Sequence, residues 1–196
     1  MKKIIITISR EFGCGAREIA RKLASDLGIT FYDKDLVDMA AQKAGVHVDV
    51  FKNSDEVIMA RSASKLFREF GYGSSTAFYS EQAIAAQADV IRDIADGKDA
   101  AILFGRCSDY ILRDRKDVLN VFIHADFEYR KNRVVSVYGQ NEFAPDKRIK
   151  DKDKRRIAYY KYYTDRKWAD AKNYQLCLDS GVLGIDKCVE LIEKAM

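Results

Sequence analysis

Proline occurs once, at Pro145, and no glycine- or serine-rich run interrupts the 196 residues. Neither a stiff spacer nor a flexible linker therefore divides the chain, and no internal repeat is visible. One domain covering 1–196 is the expectation at this length. Long apolar runs are missing as well: none nears the roughly 18 to 20 residues that a membrane-spanning helix needs. Met1-Lys2-Lys3 before Ile4-Ile5-Ile6 has the charge of a secretory leader, but the apolar stretch stops at Ser9-Arg10-Glu11 without a small-residue cleavage site. A buried first strand in a cytoplasmic protein is expected instead. Cys14, Cys107, Cys177 and Cys188 form no CxxC pair, and His47 and His124 stand far apart. These spacings argue against a zinc site or a disulfide framework and for reduced thiols. A dominant charge is also absent, since 34 Lys and Arg against 30 Asp and Glu leave only +4. That balance suits a protein that handles phosphates and does not demand a nucleic-acid partner.

What is present is ordinary for a folded protein: 47% hydrophobic and 33% charged residues. Apolar β-branched runs alternate with helical patterns, which predicts an α/β fold with a five-stranded parallel sheet flanked by helices. Strands are expected at Lys3–Ser9, Phe31–Tyr32, Ala100–Phe104, Val118–His124 and Gln175–Leu178. Helices are expected at Ala16–Leu27, Val57–Phe70, Ala83–Ala95, Phe127–Tyr138, about Lys147–Tyr163 and from about Ile185, with a loop at Gly71–Ser75. Ligands of such a sheet gather at the carboxyl ends of its strands.

The segment Ser9-Arg10-Glu11-Phe12-Gly13-Cys14-Gly15-Ala16-Arg17 follows the first strand and opens the first helix. That order places backbone N–H groups and the positive end of a helix dipole around an anion. Gly13 and Gly15 let the main chain approach phosphate oxygens without a Cβ in the way. By itself such a GxG also fits a tight turn with no ligand. The strict pattern GxxxxGK[ST] is not met. With Gly15 as its last glycine, Arg10 stands at the first glycine, Ala16 at the lysine and Arg17 at the Ser/Thr. Arg10 or Arg17 is then the candidate phosphate cation, binding as a planar fork rather than as a point charge.

The run ITISREFGCGAREIARKLASDLGITFYDKDLVDMAA resembles the N-terminal signature of the cytidylate-kinase-like family. The resemblance continues in order through ILFGRCSDYIL, VFIHADFEYRKNRV, DKDKRRIAYYKYYTDRKW and NYQLCLDS, across nearly the whole chain. It implies a P-loop fold with a helical NMP-binding insert at about 34–97 and a lid at about 139–172. It also implies ATP-dependent phosphoryl transfer with Mg²⁺, CMP or dCMP being the leading acceptor. Arg106 matches the arginine of the GRD motif that contacts the acceptor's phosphate, although Cys107 replaces the motif's aspartate. Arg130 and Arg133 match the arginine-bearing helix that leads toward the lid and are expected to bind nucleotide. Asp153 and Arg156 match the lid's DxxR, with the arginine reaching the transferring phosphoryl group. Asp33 stands at the entry to the acceptor region, where a carboxylate can orient the acceptor or hold Mg²⁺ through water.

Phosphoryl transfer asks the protein mainly for in-line positioning and converging cations. Arg17, Arg106, Arg130, Arg133 and Arg156 come from separate segments, so their convergence is a prediction about the fold. Tyr159, Tyr160, Tyr162 and Tyr163 cannot all face one core; some must face solvent, ligand or a partner subunit. Cys14 is expected to be a small filler within the loop. Two alternatives stay open: a small-molecule kinase with a non-nucleotide acceptor, because FYDKD resembles the acceptor segment of shikimate-kinase-like enzymes, and a non-catalytic phosphate-binding protein, because Ala16 replaces the lysine. Nucleotides are the expected partners, nucleic acid is disfavoured by the aspartates within 146–153, and a homo-oligomer stays open.

Overall fold

The computed structural model describes residues 4–45, 47, 49, 74–137 and 144–196. Five strands form one sheet: β1 (Ile5–Arg10), β2 (Thr30–Tyr32), β3 (Ala101–Phe104), β4 (Val118–His124) and β5 (Leu176–Asp179). All pairings are parallel and the order is β2-β3-β1-β4-β5. The expected α/β class with a five-stranded parallel sheet is therefore observed. The described helices are α1 (Ala16–Leu27), α2 (Asp35–Ala44), α3 (Ser74–Asp96), α4 (Ser108–Ile111), α5 (Phe127–Ser136), α6 (Pro145–Thr164) and α7 (Ser180–Lys194).

The period of two along β1 sorts its side chains between two cores. Ile6 and Ile8 join Ile19 and Leu23 of α1, Ile102 and Phe104 of β3, and Ile192 of α7. Ile5 faces the other way, toward Leu36 and Ala40 of α2, Ile91 of α3 and Leu103 of β3. Both faces of the sheet are thus covered, as an all-parallel sheet requires. The same alternation carries Arg10 onto the face of Ile6 and Ile8. Since Ile8 pairs with Phe104 in register, Arg10 emerges just past the sheet edge with its guanidinium 3.8 Å from the Phe104 ring centroid.

Several boundaries differ from the expected ones. Ser74 and Ser75, read as loop, begin α3, which is longer than the Ala83–Ala95 expected. The last helix begins at Ser180 rather than Ile185, because Asp179 accepts the Gly181 and Val182 N–H groups as N-cap and a non-helical Gly184 interrupts the pattern that sequence periodicity detects. The four-residue α4 is too short to show a period. Val57–Phe70, Gly71–Gly73 and parts of the expected insert and lid lie outside the described residues.

Candidate active site at the carboxyl edge of the sheet

The loop between β1 and α1 is built on two left-handed glycines, Gly13 at φ 86° and Gly15 at φ 84°. Each is needed for conformation and for space. A Cβ on Gly13 would come within 2.9 Å of the Arg130 carbonyl oxygen, and one on Gly15 within 2.8 Å of Ile185 Cδ1. Gly15 caps α1, its carbonyl accepting the N–H groups of Glu18 and Ile19. Ala16, at the position of the missing lysine, is buried at 3% exposure and presents only a methyl group to the core. Cys14 is a buried filler: its thiol donates to the Ile123 carbonyl at 3.4 Å, and burial pushes its pKa up to about 11.

The loop opens into a cavity of about 320 Å³ lined by residues 10–17 together with Phe104, Arg148 and Arg156. A second cavity, about 590 Å³, lies beside it at the ends of β2 and β3; Asp33, Arg106, Tyr159 and Trp168 are among its lining residues. Arg10, Arg17, Phe104 and Arg156 line both. The boundary between the cavities is therefore a cationic wall with one aromatic ring in it. Burial lowers the Arg10 pKa well below its ordinary value, and Arg156, Arg17 and Arg106 push it the same way, against the attraction of Asp33. An arginine remains protonated regardless. The crowding instead marks a place where an anion would relieve repulsion.

Three of these cations are placed by identifiable contacts. Arg17 Nε lies 2.8 Å from Asp33 Oδ2, which turns it toward the second cavity. Arg156 donates to the Arg10 carbonyl at 3.1 Å and lies 3.4 Å from Asp153. Arg106 follows Gly105 in a tight turn closed by Ser108 N–H donating to the Gly105 carbonyl at 3.1 Å. Gly105, Arg106 and Cys107 have φ of 79°, 58° and 54°, so two non-glycine residues occupy the left-handed region in succession. Such positions cost about 1–3 kcal/mol each and cluster at functional sites. Aspartate tolerates that region better than cysteine, so Cys107 carries more of this strain than the aspartate of the resembled motif would.

The remaining predicted residues stand behind the loop. Asp153 accepts the Phe12 N–H at 2.7 Å and pairs with Arg130 at 2.6 Å. Arg130 also donates to the Phe12 carbonyl at 3.3 Å and lies 3.4 Å from Glu11. Arg133 pairs with Glu18 at 2.6 Å. Arg130 and Asp153 thus clamp the loop to α5 and α6 and Arg133 ties α5 to Glu18 of α1, whereas Arg10, Arg17, Arg106 and Arg156 meet at the cavities.

Glu11, Phe12, Phe104 and Arg148 were not singled out in the sequence, whereas Tyr159 was, as a member of the tyrosine cluster. Arg148 and Arg156 stand 5.5 and 5.7 Å from the Phe12 ring centroid; their eight-residue separation on one helical stripe was the available signal. The tyrosine cluster divides as expected: Tyr160 is buried and donates to Asp109 at 2.7 Å, Tyr162 is exposed, and Tyr159 lines the larger cavity.

A sequence model of the cytidylate kinase-like family matches residues 5–182. The chain belongs to the cytidylate kinase-like family. No curated protein matches it. The crystal structure of an uncharacterized protein from Eubacterium ventriosum is similar over 98% of both chains, with 27% identity and a TM-score of 0.72. A shikimate kinase from Bacteroides thetaiotaomicron is similar at 12% identity and a TM-score of 0.54, covering 98% of this chain and 97% of its own. The YorR protein from Bacillus subtilis, in complex with phosphorylated GDP, is similar at 14% identity and a TM-score of 0.51, over 98% and 95% of the two chains. The last two likenesses are of fold: the kinase-like family member has the architecture of P-loop kinases. Among the described residues no helix is long and apolar enough to cross a membrane.

Proposed function

We propose that this protein transfers the γ-phosphoryl group of ATP to a nucleoside monophosphate, with CMP or dCMP as the leading acceptor. The observation that carries this reading is the pair of cavities sharing the wall of Arg10, Arg17, Phe104 and Arg156. A transfer reaction needs two anionic ligands meeting end to end, and cations at their junction stabilise the charge that spreads over the equatorial oxygens. In this scheme the loop N–H groups and the α1 N-terminus hold the donor phosphates. Arg106 and Arg17 face the acceptor's phosphate, and Tyr159 and Trp168 offer aromatic faces to a base. Arg156 reaches the junction from α6.

Among the described residues no group of three or more His, Cys, Asp and Glu could hold a metal by itself. Mg²⁺ carried by phosphates and water needs only one or two protein carboxylates. Asp33, on the wall of the acceptor cavity, fits that limited demand through a water molecule. When bound, the ion neutralises phosphate charge, and positioning remains the work of the arginines.

The Asp33–Arg17 pair supports a second reading, a small-molecule kinase whose acceptor hydroxyl is oriented by the carboxylate. A coupled assay with ATP and Mg²⁺ against CMP, dCMP, other nucleoside monophosphates and polyhydroxy carboxylic acids separates the two. Turnover of CMP or dCMP is the expected result. Turnover of a hydroxy acid alone replaces it with the second reading, and ATP binding without any turnover leaves a phosphate-binding protein.

A further inference from the structure

We infer that Arg10, from the end of β1, replaces the missing loop lysine as the fixed cation on the donor's transferring phosphoryl group; this rests on the kinase reading above. Ala16 offers no charge and is buried against the core. Arg17, the other candidate from the sequence, also lines both cavities but is committed at 2.8 Å to Asp33, a carboxylate of the acceptor cavity. Arg130, Arg133 and Arg156 are each paired with a carboxylate: Arg130 and Arg156 with Asp153, and Arg133 with Glu18. Arg10 differs from all of these. Among the described residues no carboxylate lies within ion-pairing distance of it, whereas each of the others has one; its buried Nε–H, like those of Arg130 and Arg133, finds no acceptor. It is enclosed on the Phe104 ring, surrounded by other arginines, on the wall common to both cavities.

The replacement is sterically reasonable. The usual loop begins with a glycine and sends a lysine back over the phosphates from the helix. Here the first position carries the long side chain and the helix position carries the methyl group, so the cation comes from the strand side. Gly105 completes the arrangement, because a Cβ there would collide with the Arg10 guanidinium. Donor-side charge is thereby tied to the turn that presents Arg106 to the acceptor.

An exchange experiment tests this on the full chain. Arg10→Gln, Arg10→Gly, Ala16→Lys and the double variant Arg10→Gly/Ala16→Lys are compared for ATP affinity by calorimetry and for kcat with whichever acceptor the wild type turns over. Removing a single charge-stabilising donor costs about 100-fold in kcat. Arg10→Gln, which removes the guanidinium and its contact with Phe104 while keeping a polar side chain, is therefore expected to lose about 100-fold. The double variant, which restores the glycine-first, lysine-last loop, is expected to regain at least about tenfold over Arg10→Gly, as a relocated donor of the same kind would. Wild-type kcat or ATP affinity in Arg10→Gln overturns the inference, as does a double variant no better than Arg10→Gly when both melt like the wild type. A wild-type protein that binds no ATP overturns the kinase reading and this inference together; binding that is indifferent to Arg10 overturns this inference alone.

Discussion

Replacing Asp153 by alanine should unfold the loop's support before it affects any ligand. The carboxylate satisfies Phe12 N–H at 2.7 Å, Arg130 at 2.6 Å and Arg156 at 3.4 Å. Its side chain is 14% exposed and that of Arg130 only 10%, so solvent screens the pair weakly. Removing one partner of such a pair leaves a buried charge and costs about 3–5 kcal/mol. Glu11, 3.4 Å from Arg130 Nε, remains and offsets part of this, which puts the expected loss at roughly 3 kcal/mol. For a chain of this size that lowers Tm by roughly 6–12 °C. Urea unfolding of wild type, Asp153→Ala, Arg130→Met and the double variant gives the coupling directly. The double variant should be less unstable than the two single losses added together, by about 2 kcal/mol or more. Strict additivity, or a loss below about 1 kcal/mol for Asp153→Ala, would refute the assignment of Asp153 as the loop's clamp.

Gly105→Ala should displace Arg10 without removing its charge and add left-handed strain of about 1–2 kcal/mol; kinetics should show a lower kcat, and unchanged turnover would count against the packing argument. Tyr160→Phe leaves the buried Asp109 carboxylate without its phenol donor, and a loss of about 1–3 kcal/mol in urea is expected. Burial pushes the Cys14 thiol from 9.0 up to about 11. Its folded-state pKa is raised, so its contribution to stability is complete below pH 9 and is lost as pH rises toward 11. Stability curves at pH 8 and 11 should therefore converge partly in Cys14→Ala, by up to about 2–3 kcal/mol.

Much of the fold was written locally. The β-branched runs of β1, β3 and β4 and the apolar spacing Ile19, Leu23 of α1 carry their own periods, and Gly28 ends α1 as a left-handed cap. Elements held by capping or by length escaped that reading: α4 has only four residues, and the start of α7 depends on Asp179 folding back on the N–H groups of Gly181 and Val182.

For the site, the sequence alone determined the loop, its glycines, the absent lysine and the separate arginines, because each is a matter of residue type and order along the chain. It could not sort those arginines. Arg10 and Phe104 lie 94 positions apart, and they meet because β1 and β3 pair in parallel with Ile8 opposite Phe104. Arg130 reads like Arg156 in the sequence, yet one sits behind the loop with Glu11 and Asp153 and the other lines both cavities. Which charges are neutralised and which remain for a ligand depends on carboxylates brought in from distant elements. That pairing is a property of the packed chain, decided by strand order and helix placement, and no local pattern encodes it.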